Sequence, residues 1–392
     1  MKSIFRHVIM RQLAVVLWGA WCASGTAVAQ NNAPKPLPEA IIAAWEAVGA
    51  TPCWMRGRDL NIQFVGKYSS EPGDIPAFEL DDKLKPGDFT KLPVPPSPFG
   101  INTGFLKPTD ETIQDLSRMS TLFALDIHDA KITDVGLQEL AKLQNLRALN
   151  VGQIPLTDDD LKHITVLANL RWLNLELTKI TDSGLEQLTR LSNLTVLNLS
   201  ATKISGSGLQ PLARLQNLQK LNVGFTEFSN SSLAHLAEFK NLQDLTLTYT
   251  QVTDAGMQHV GKLTSLTTLN LGNTDVSDEG LKNLTRLVHL KRLRLGFTGV
   301  RGEGLAVLGS LKQLEELGLS KSAMKNDGVK SLVAIQSLRK LDMMGMPDLT
   351  DEGLLSLAGI PSLRELALNS TGISDAGLAK LKQALPECKI TH

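Results

Sequence analysis

One group of side chains in this chain could begin a metal site. Asp126 and His128 would share one face of an extended strand, and Asp129 would lie in the turn that follows. A zinc site needs three or four converging ligands, and no further His or Cys is spaced to complete this one. We therefore interpret the three residues as a solvated strand end and predict no metal or other cofactor.

Other catalytic patterns are missing from the sequence as well. The glycines at 206 and 208 are followed by Leu209 and lack the spacing of a phosphate-binding loop. There is no GxSxG motif and no Cys/His pair of catalytic type. Cys53 and Cys388 have neither a neighbouring histidine nor CxxC spacing, so we expect two unpaired, mostly buried thiols. These observations predict a noncatalytic protein.

A repeat of 24 residues determines which elements carry these side chains. The motif LxxLxL recurs eleven times within a consensus close to LxxLxLxxTxITDxGLxxLxxLxN, with one residue inserted near Pro347. A fixed period of this length is typical of repeat architectures. The motif begins at Leu122, Leu146, Leu170, Leu194, Leu218, Leu242, Leu266, Leu290, Leu314, Leu338 and Leu363.

Each repeat predicts one strand, one turn and one helix. In LRWLNL, the leucines at 170, 173 and 175 point inward, whereas Trp172 and Asn174 point outward. A threonine after the strand can bond to the turn backbone. A Thr-Asp or Ser-Asp pair then caps a helix whose GLxxLxxL pattern gives one apolar face. Stacking such units predicts an α/β fold, a right-handed solenoid with a curved parallel sheet.

The segments before the repeats have their own features. Residues 1–29 show the pattern of a cleavable signal peptide, with a basic start, a short apolar run and Ala27-Val28-Ala29 before Gln30. An uncleaved anchor and a lipoprotein modified at Cys22 are the alternatives. Residues 30–108 are expected to form an N-terminal cap that includes the Pro-rich join LPVPPSPFG, and residues 109–392 the solenoid with a C-terminal cap. The chain is thus predicted to be exported, without stable membrane insertion once the signal is removed.

The ITDxGL core and the closing phrase Leu385-Pro386-Glu387-Cys388-Lys389-Ile390 resemble exported leucine-rich repeat proteins of planctomycete-type bacteria. The stretch PEAIIAAWEAVGA is similar to the cap of such proteins. This resemblance implies a solenoid of the cell envelope or the extracellular space. The repeats are more distantly similar to those of F-box ubiquitin-ligase adaptors. However, threonine stands where those proteins keep cysteine, and an export signal precedes the repeats.

The outward strand positions would line a concave face, which is the usual recognition surface of a solenoid. Aromatic residues and arginine are favoured as interface anchors. We therefore predict a binding patch on this face, formed by Trp172, Phe225, Tyr249, Phe297, Arg292 and Arg294. The alternative is that each aromatic residue lies over a neighbouring turn as partial core.

The overall charge limits the class of partner. Forty basic and forty acidic residues give a formal net charge of zero, so the chain lacks the basic excess of a nucleic-acid binder. The sequence favours a noncatalytic module that binds a protein or peptide, with an envelope glycan as a further candidate ligand. A structural scaffold of the envelope is the second hypothesis, and a ubiquitin-ligase-type adaptor is the third.

Overall fold

The computed structural model describes residues 35–58, 61–66, 69–104 and 106–392. The predicted signal peptide lies outside these residues. One sheet of sixteen strands runs through the described part of the chain. The strands are β1 (Thr51–Arg58), β2 (Asn61–Gly66), β3 (Ile75–Glu79), β4 (Phe99–Asn102), β5 (Leu122–Asp126), β6 (Ala148–Asn150), β7 (Trp172–Asn174), β8 (Val196–Asn198), β9 (Lys220–Asn222), β10 (Asp244–Thr246), β11 (Thr268–Asn270), β12 (Arg292–Arg294), β13 (Glu316–Gly318), β14 (Lys340–Asp342), β15 (Glu365–Ala367) and β16 (Lys389–Thr391).

From β3 onward, each strand pairs in parallel with the next strand along the chain, so the sheet order follows the sequence order. β1 pairs antiparallel with both β2 and β3, which places the hairpin β1–β2 at the N-terminal edge. Within the repeats the register is constant: Leu173 lies opposite Leu197, and Leu197 lies opposite Leu221. A parallel, open sheet built from successive repeats confirms the predicted solenoid fold.

Short helices return the chain between strands. The α-helices are α1 (Glu39–Glu46), α2 (Asp110–Leu116), α3 (Asp134–Leu140), α4 (Leu161–Ile164), α5 (Asn230–Leu233), α6 (Asp254–Val260), α7 (Asp278–Leu281), α8 (Asn326–Ser331), α9 (Asp351–Leu354) and α10 (Asp375–Ala384). Segments of 3₁₀-helix lie at Asp88–Lys91, Asp158–Asp160, Asp182–Arg190, Ser207–Arg214, Ala234–Glu238, Lys282–Arg286, Glu303–Ser310, Leu332–Ala334 and Leu355–Gly359.

The core lies between the strands and these helices. The repeated leucines of strand and helix form one continuous apolar cluster, in which Leu173, Leu185 and Leu197 are fully buried. Each buried leucine side chain contributes about 1.5–3 kcal/mol relative to an exposed one. Since a single repeat cannot cover its own leucines, this stabilisation depends on the neighbouring repeats.

The threonine that follows each strand has the predicted role. The hydroxyl of Thr250 donates to the carbonyl oxygen of Leu247 at 2.6 Å, and the hydroxyl of Thr298 donates to Leu295 at the same distance. Thr178, Thr202, Thr226 and Thr274 make the equivalent bond. The column therefore satisfies a strand-end carbonyl that the sheet leaves open.

The aspartate of the Thr-Asp pair has a wider role than the predicted cap of its own helix. Its carboxylate accepts hydrogen bonds from the start of the next repeat, so it joins two repeats. Asp254 accepts from the backbone N of Ser277 at 2.7 Å and from the Ser277 hydroxyl at 2.6 Å. The same bond to the backbone N about one repeat further on is made by Asp110, Asp158, Asp182, Asn230, Asp278, Asn326 and Asp351.

The segment before the repeats packs its aromatic residues inside. Trp45 of α1 stacks on Phe78 of β3 with ring centroids 4.4 Å apart, and Phe99 meets both rings edge-on. The Trp45 indole N–H donates to the carbonyl oxygen of Pro93 in the Pro-rich join. These three rings are fully buried and belong to the same core as the repeat leucines. The boundary placed at residue 108 stays a prediction, because the sheet passes through it without interruption.

Candidate binding surface

The structure places the six residues of the predicted patch at different depths. Trp172 is only 8% exposed, so it is not the exposed anchor that the sequence suggested. Its outward strand position is correct, but it faces the small side chains of Ala148 and Ala124 in the same row of the sheet. With Cys53, Met55 and Ala77 these residues form a second apolar cluster, separate from the main core. Trp172 therefore packs against the chain's own side chains on the concave face.

The other three aromatic residues are exposed and lie in one column. Phe225, Tyr249 and Phe297 are 40%, 41% and 46% exposed. We call their column the edge column. It contains one residue per repeat, which lies three positions after the end of the strand and has a left-handed backbone. Its members are Asp129, Gln153, Leu177, Ala201, Phe225, Tyr249, Asn273, Phe297, Lys321, Gly345 and Ser370.

The backbone of the edge column explains why these side chains are exposed. Phe225, Tyr249 and Phe297 have φ values of 58°, 56° and 58°. Left-handed φ costs an ordinary residue about 1–2 kcal/mol, and glycine or asparagine carries the least penalty. The repeat imposes this conformation because the backbone N of the edge residue donates to the next strand, as Tyr249 does to Gly272. A bulky ring here adds exposed apolar surface to a strained position, which suggests a function beyond folding.

Rings of the edge column stack along the solenoid. The centroids of Phe225 and Tyr249 are 4.5 Å apart and their planes differ by 22°. That separation matches the spacing of about 4.8 Å between adjacent strands. Further along, the ammonium of Lys321 lies 5.1 Å from the centroid of the Phe297 ring, within the range of a cation–π contact. Rings of neighbouring repeats thus share one orientation, with their faces along the solenoid axis.

A strip of small residues separates the edge column from the middle of the concave face. We call Gly224, Gly272 and Gly296, each one residue before an edge position, the glycine strip. They let successive repeats approach closely, since a Cβ at Gly224 or Gly296 would lie 3.0 Å from a carbonyl oxygen of the next repeat.

Several strands end in asparagine, and we call this column, which borders the glycine strip, the asparagine ladder. Its side chains mainly accept hydrogen bonds from the backbone two residues further on. Its members are Asn150, Asn174, Asn198, Asn222 and Asn270. The side-chain oxygen of Asn270 accepts from the backbone N of Gly272 at 3.0 Å, and Asn222 does the same for Gly224. Lateral amide bonds between neighbouring strands are few in the described chain; Asn150 donates to Asp126 at 3.0 Å. The ladder therefore fixes the strand ends that present the edge column.

The ladder is interrupted in the repeats of Tyr249, Phe297 and Lys321, whereas the repeat of Phe225 keeps Asn222. Thr246, Arg294 and Gly318 replace asparagine in β10, β12 and β13. In two of these repeats, Thr248 and Ser320 occupy the position that glycine has in the glycine strip. Their hydroxyl oxygens are buried and have no hydrogen-bond partner among the described residues. Unpaired buried hydroxyls are uncommon in native proteins.

Charged residues of the concave face are arranged in cross-strand pairs. Lys220 lies 3.2 Å from Asp244, and Lys340 lies 3.0 Å from Glu365. Between these two pairs, β12 carries Arg292, which is half-buried and donates to Thr268 at 3.1 Å.

The second arginine of β12, Arg294, is exposed. Burial raises the pKa of Glu316, whereas the charges of Arg292, Lys340 and Arg294 lower it. Both predicted arginines thus lie on the concave face beside Phe297, on the strand that leads to it.

Two polar features lie toward the N-terminal end of this face: the pair Asp126 and His128, which the sequence presented as a solvated strand end, and Glu176, which it did not single out. The imidazole Nδ1 of His128 donates a 2.8 Å hydrogen bond to the carboxylate of Asp126, and this bond raises the pKa of the imidazole. Glu176 lies two strands away, next to Asn198, and burial raises the pKa of its carboxyl. The regular position of Glu176, four residues after Trp172 on the same face, was the available signal.

The remaining chemistry of the described residues is limited. Cys53 is buried, Cys388 is half-buried, and both thiols are free. Burial raises the pKa of Cys53 to about 12. No cluster of three or more His, Cys, Asp or Glu side chains suitable for a metal ion occurs in the ranges given above. Over those same ranges, no helix has the length and apolar character needed to cross a membrane.

The parallel sheet, the buried leucine ladder and the one-helix repeat define a solenoid of leucine-rich repeats. Residues 131–389 match the family model described as a leucine-rich repeat region. That match covers more than half of the 392 residues. The chain belongs to the leucine-rich repeat family.

Solved structures share this fold at low sequence identity. An internalin from Listeria monocytogenes is 23% identical, with a TM-score of 0.53 over 70% of this chain and 82% of that one. A leucine-rich repeat protein of Leptospira interrogans is 19% identical, with a TM-score of 0.49 over 80% of this chain and 93% of its own. A plant peptide hormone receptor, RGFR1, solved in complex with RGF2, is 15% identical, with a TM-score of 0.46 over 78% of this chain and 52% of its own. No curated protein sequence matches significantly.

Proposed function

We propose that this chain is a noncatalytic binding module that holds a protein or peptide against the edge of its concave face. The observation that carries the proposal is the exposed column of Phe225, Tyr249 and Phe297, held at left-handed φ beside the glycine strip. Natural repeats tolerate asparagine or glycine at this position, as Asn273 and Gly345 show. Large rings there add nothing to the core and therefore support a role in recognition.

Arg292 and Arg294 extend the proposed surface, whereas Trp172 has a packing role. Aromatic residues and arginine supply most of the energy in many interfaces, and here both arginines lie on β12, the strand that precedes Phe297 in the same repeat. Trp172 is almost fully covered by the chain's own side chains, so we no longer include it among the contacting residues. The revised surface is Phe225, Tyr249, Phe297, Arg292 and Arg294.

We also propose a cellular location and a bacterial family for the protein. Residues 1–29 have the pattern of an export signal, and the ITDxGL and LPxCKI motifs resemble exported bacterial repeat proteins. We propose that the mature chain begins near Gln30 and functions in the periplasm, the cell envelope or outside the cell. N-terminal sequencing of the protein from its own organism tests this, since an uncleaved Met1 or a cytoplasmic fraction would contradict it.

The binding proposal is tested by affinity capture from an envelope extract. The immobilised chain is compared with a triple variant, Phe225→Ala, Tyr249→Ala and Phe297→Ala, and captured proteins are quantified by mass spectrometry. A second variant, Val135→Ala, removes an apolar side chain that is 60% exposed on α3 instead of on the concave face.

We expect a set of proteins that the original chain and Val135→Ala retain equally and that the triple variant loses. Equal recovery by all three would show that the edge column is not the recognition surface. Such a result would favour the scaffold hypothesis, in which the ends or the convex side of the solenoid mediate assembly. Release of the captured material by glycan oligomers, with no protein retained, would favour an envelope glycan as the ligand.

A further inference from the structure

The stack of rings along the edge column has one gap. Tyr249 has Phe225 on one face, and Phe297 has Lys321 over one face. The opposite faces of both rings therefore turn toward the intervening residue, Asn273, which has φ 55° and is half-buried. Its carboxamide is much shorter than a phenyl ring, so it fills only the base of the space between the two rings.

The width of this gap fits one flat ring. Tyr249 and Phe297 are two repeats apart, which corresponds to about 9.6 Å along the sheet. A ring placed midway would lie about 4.8 Å from each, close to the 4.5 Å that separates Phe225 from Tyr249. Aromatic pairs at such distances contribute about 0.5–1.5 kcal/mol beyond the area that they bury, and a ring in the gap would gain two of these contacts.

We propose that the space above Asn273, between Tyr249 and Phe297, is a slot for one aromatic side chain of a polypeptide partner. This inference rests on the proposed function and specifies the ligand group that the surface takes.

The charge around the slot favours a neutral ring over a guanidinium. Arg292, Arg294 and Lys321 lie on the two repeats that follow it, and Glu316 is the acidic side chain facing the arginines. The lysines of the neighbouring pairs are matched by Asp244 and Glu365. A cationic side chain would enter against this local positive excess.

The same charges specify what should flank the ring. Arg294 ends β12, three residues before Phe297 on the same repeat, and three residues of chain span at most about 10 Å. A carboxylate two or three residues from the aromatic residue of an extended partner would therefore reach Arg294. The expected ligand motif is an aromatic residue with an acidic residue two or three positions away.

The test uses a displayed library of random twelve-residue peptides, selected on the purified chain and on two variants. Asn273→Phe fills the slot from within, and it is expected to fold because Phe225 and Phe297 have the same backbone conformation. Asn273→Ser keeps the slot open and is the matched control. Circular dichroism and urea unfolding check that both variants are folded.

Peptides enriched on the original chain should contain an aromatic residue. We expect Asn273→Phe to weaken their dissociation constants about tenfold or more, and Asn273→Ser to change them less than about threefold. Replacing the aromatic residue of a peptide with alanine should weaken binding to the original chain by a similar factor. It should cause little further loss with Asn273→Phe, because both changes remove the same contact.

Three outcomes would overturn the slot. Peptides that bind Asn273→Phe as tightly as the original chain would show that the gap is not used. Enriched peptides without aromatic residues, or with arginine in their place, would show that the slot does not take an aromatic side chain. Binding of N-acetylglucosamine oligomers, run as a second probe, that is lost in Asn273→Phe while no peptide binds would assign the slot to a sugar.

Failure of the slot and failure of the proposed binding function give different results in these variants. Peptides that are lost in the triple variant Phe225→Ala, Tyr249→Ala and Phe297→Ala, but are retained by Asn273→Phe, would leave edge-column recognition intact and eliminate only the slot. Peptides that are retained by the triple variant would contradict both.

Discussion

The carboxylate of Asp254 accepts a 3.0 Å hydrogen bond from the backbone N of Gly280, twenty-six residues further along the chain. The approach is so close that a Cβ on Gly280 would lie 2.4 Å from the same oxygen. Because the two residues begin successive repeat helices, the bond links the repeats on the helical side of the solenoid. Hydrogen bonds to a charged acceptor typically contribute about 1.5–3 kcal/mol.

The first prediction concerns this pair. Gly280→Ala should lower the free energy of unfolding by about 1–3 kcal/mol because the methyl group forces the carboxylate away. Asp254→Ala should cost a similar amount, because backbone donors of the next repeat lose their acceptor. The double variant should lose clearly less than the sum, since the clash disappears with the carboxylate. Urea unfolding of the four proteins measures the coupling.

Gly57→Ala is the matched control for that experiment. No atom lies within 4 Å of a Cβ at Gly57, so this exchange should change stability by less than about 1 kcal/mol. One pair of repeats in the chain already has both positions of the Asp-Gly pair exchanged together. Ser232 replaces the repeat glycine, and the preceding repeat has Gly206 in place of the aspartate, where a Cβ would lie 2.5 Å from that of Ser232. Additive losses in the double variant would show that the two side chains act independently.

The second prediction separates stability from recognition at Phe297. Phe297→Asn introduces the residue that the same column already contains at Asn273 and that tolerates left-handed φ well. The relief of backbone strain and the loss of the contact with Lys321 have opposite signs, so stability should stay within about 1 kcal/mol. Affinity for peptides selected on the original chain should fall at least about tenfold.

Thr298→Ala is the reciprocal control for Phe297→Asn. The Thr298 hydroxyl is buried and donates to Leu295, so its loss should cost about 1 kcal/mol or more of stability without changing affinity. A variant Phe297→Asn that binds normally, or unfolds as easily as a core variant, would assign Phe297 to the core.

The third prediction follows from the corrected position of Trp172. Trp172→Ala should destabilise the chain by about 3 kcal/mol, because truncating a buried tryptophan typically costs 3–5 kcal/mol and this one lies in the smaller apolar cluster outside the main core. Peptide binding at the edge column should be unaffected once the variant is folded. Thermal unfolding and titration at low temperature measure the two effects, and loss of binding in a folded Trp172→Ala protein would restore the residue to the recognition surface.

The fold could be predicted from the sequence because each level of the repeat agrees with the others. Leucine spacing, the threonine after the strand and the glycine in the helix recur every 24 residues, so errors at single positions do not change the register. The depth of Trp172 could not be predicted in this way. It depends on Ala124 and Ala148 being small, and on strands before the repeats bringing Met55 and Cys53 into the same cluster.

The candidate surface could be predicted only in part. The recurrence of aromatic residues after the strand identified Phe225, Tyr249 and Phe297, but their left-handed backbone was invisible in the sequence because glycine and asparagine occupy few positions of the column. Similarly, the Asp-Gly links between repeats are separated by twenty-six residues. The sequence pattern of a single repeat predicts that the aspartate caps its own helix, and it does not reveal the bond to the next repeat.

The fourth prediction concerns the thiols. Burial raises the pKa of Cys53 to about 12 and also raises the pKa of Cys388. Only thiolates react quickly with disulfide reagents, so both should react slowly at pH 8 in the folded chain. Cys388 is only half-buried and should react first. Stopped labelling followed by peptide mass spectrometry gives the order, and faster labelling of Cys53 would contradict its burial.

The fifth prediction is a pH dependence of stability at Glu176. Burial raises the pKa of this carboxyl above its ordinary value of 4.5, while the hydrogen bonds of Asn198 and Asn174 oppose the shift. The folded state therefore holds the proton more tightly than the unfolded state. Below pH 4.5 both states are protonated and the residue costs nothing. As the pH rises through the raised pKa, ionisation penalises the folded state.

Glu176→Gln should consequently be more stable than the original chain at pH 7, and the difference should shrink as the pH falls toward 4.5. The amide oxygen of glutamine can still accept from Asn198, so the bond recorded at 3.4 Å need not be lost. His128 acts in the opposite sense: its bond to Asp126 raises the imidazole pKa, so its stabilisation is present below pH 6.5 and is lost as the pH rises through the raised value. Repeating the urea series from pH 4 to 8 in a His128→Gln background separates the two groups. If Glu176→Gln were less stable than the original chain at pH 7, the ionised carboxylate would be a favourable part of the concave face, and its burial would not be the dominant effect.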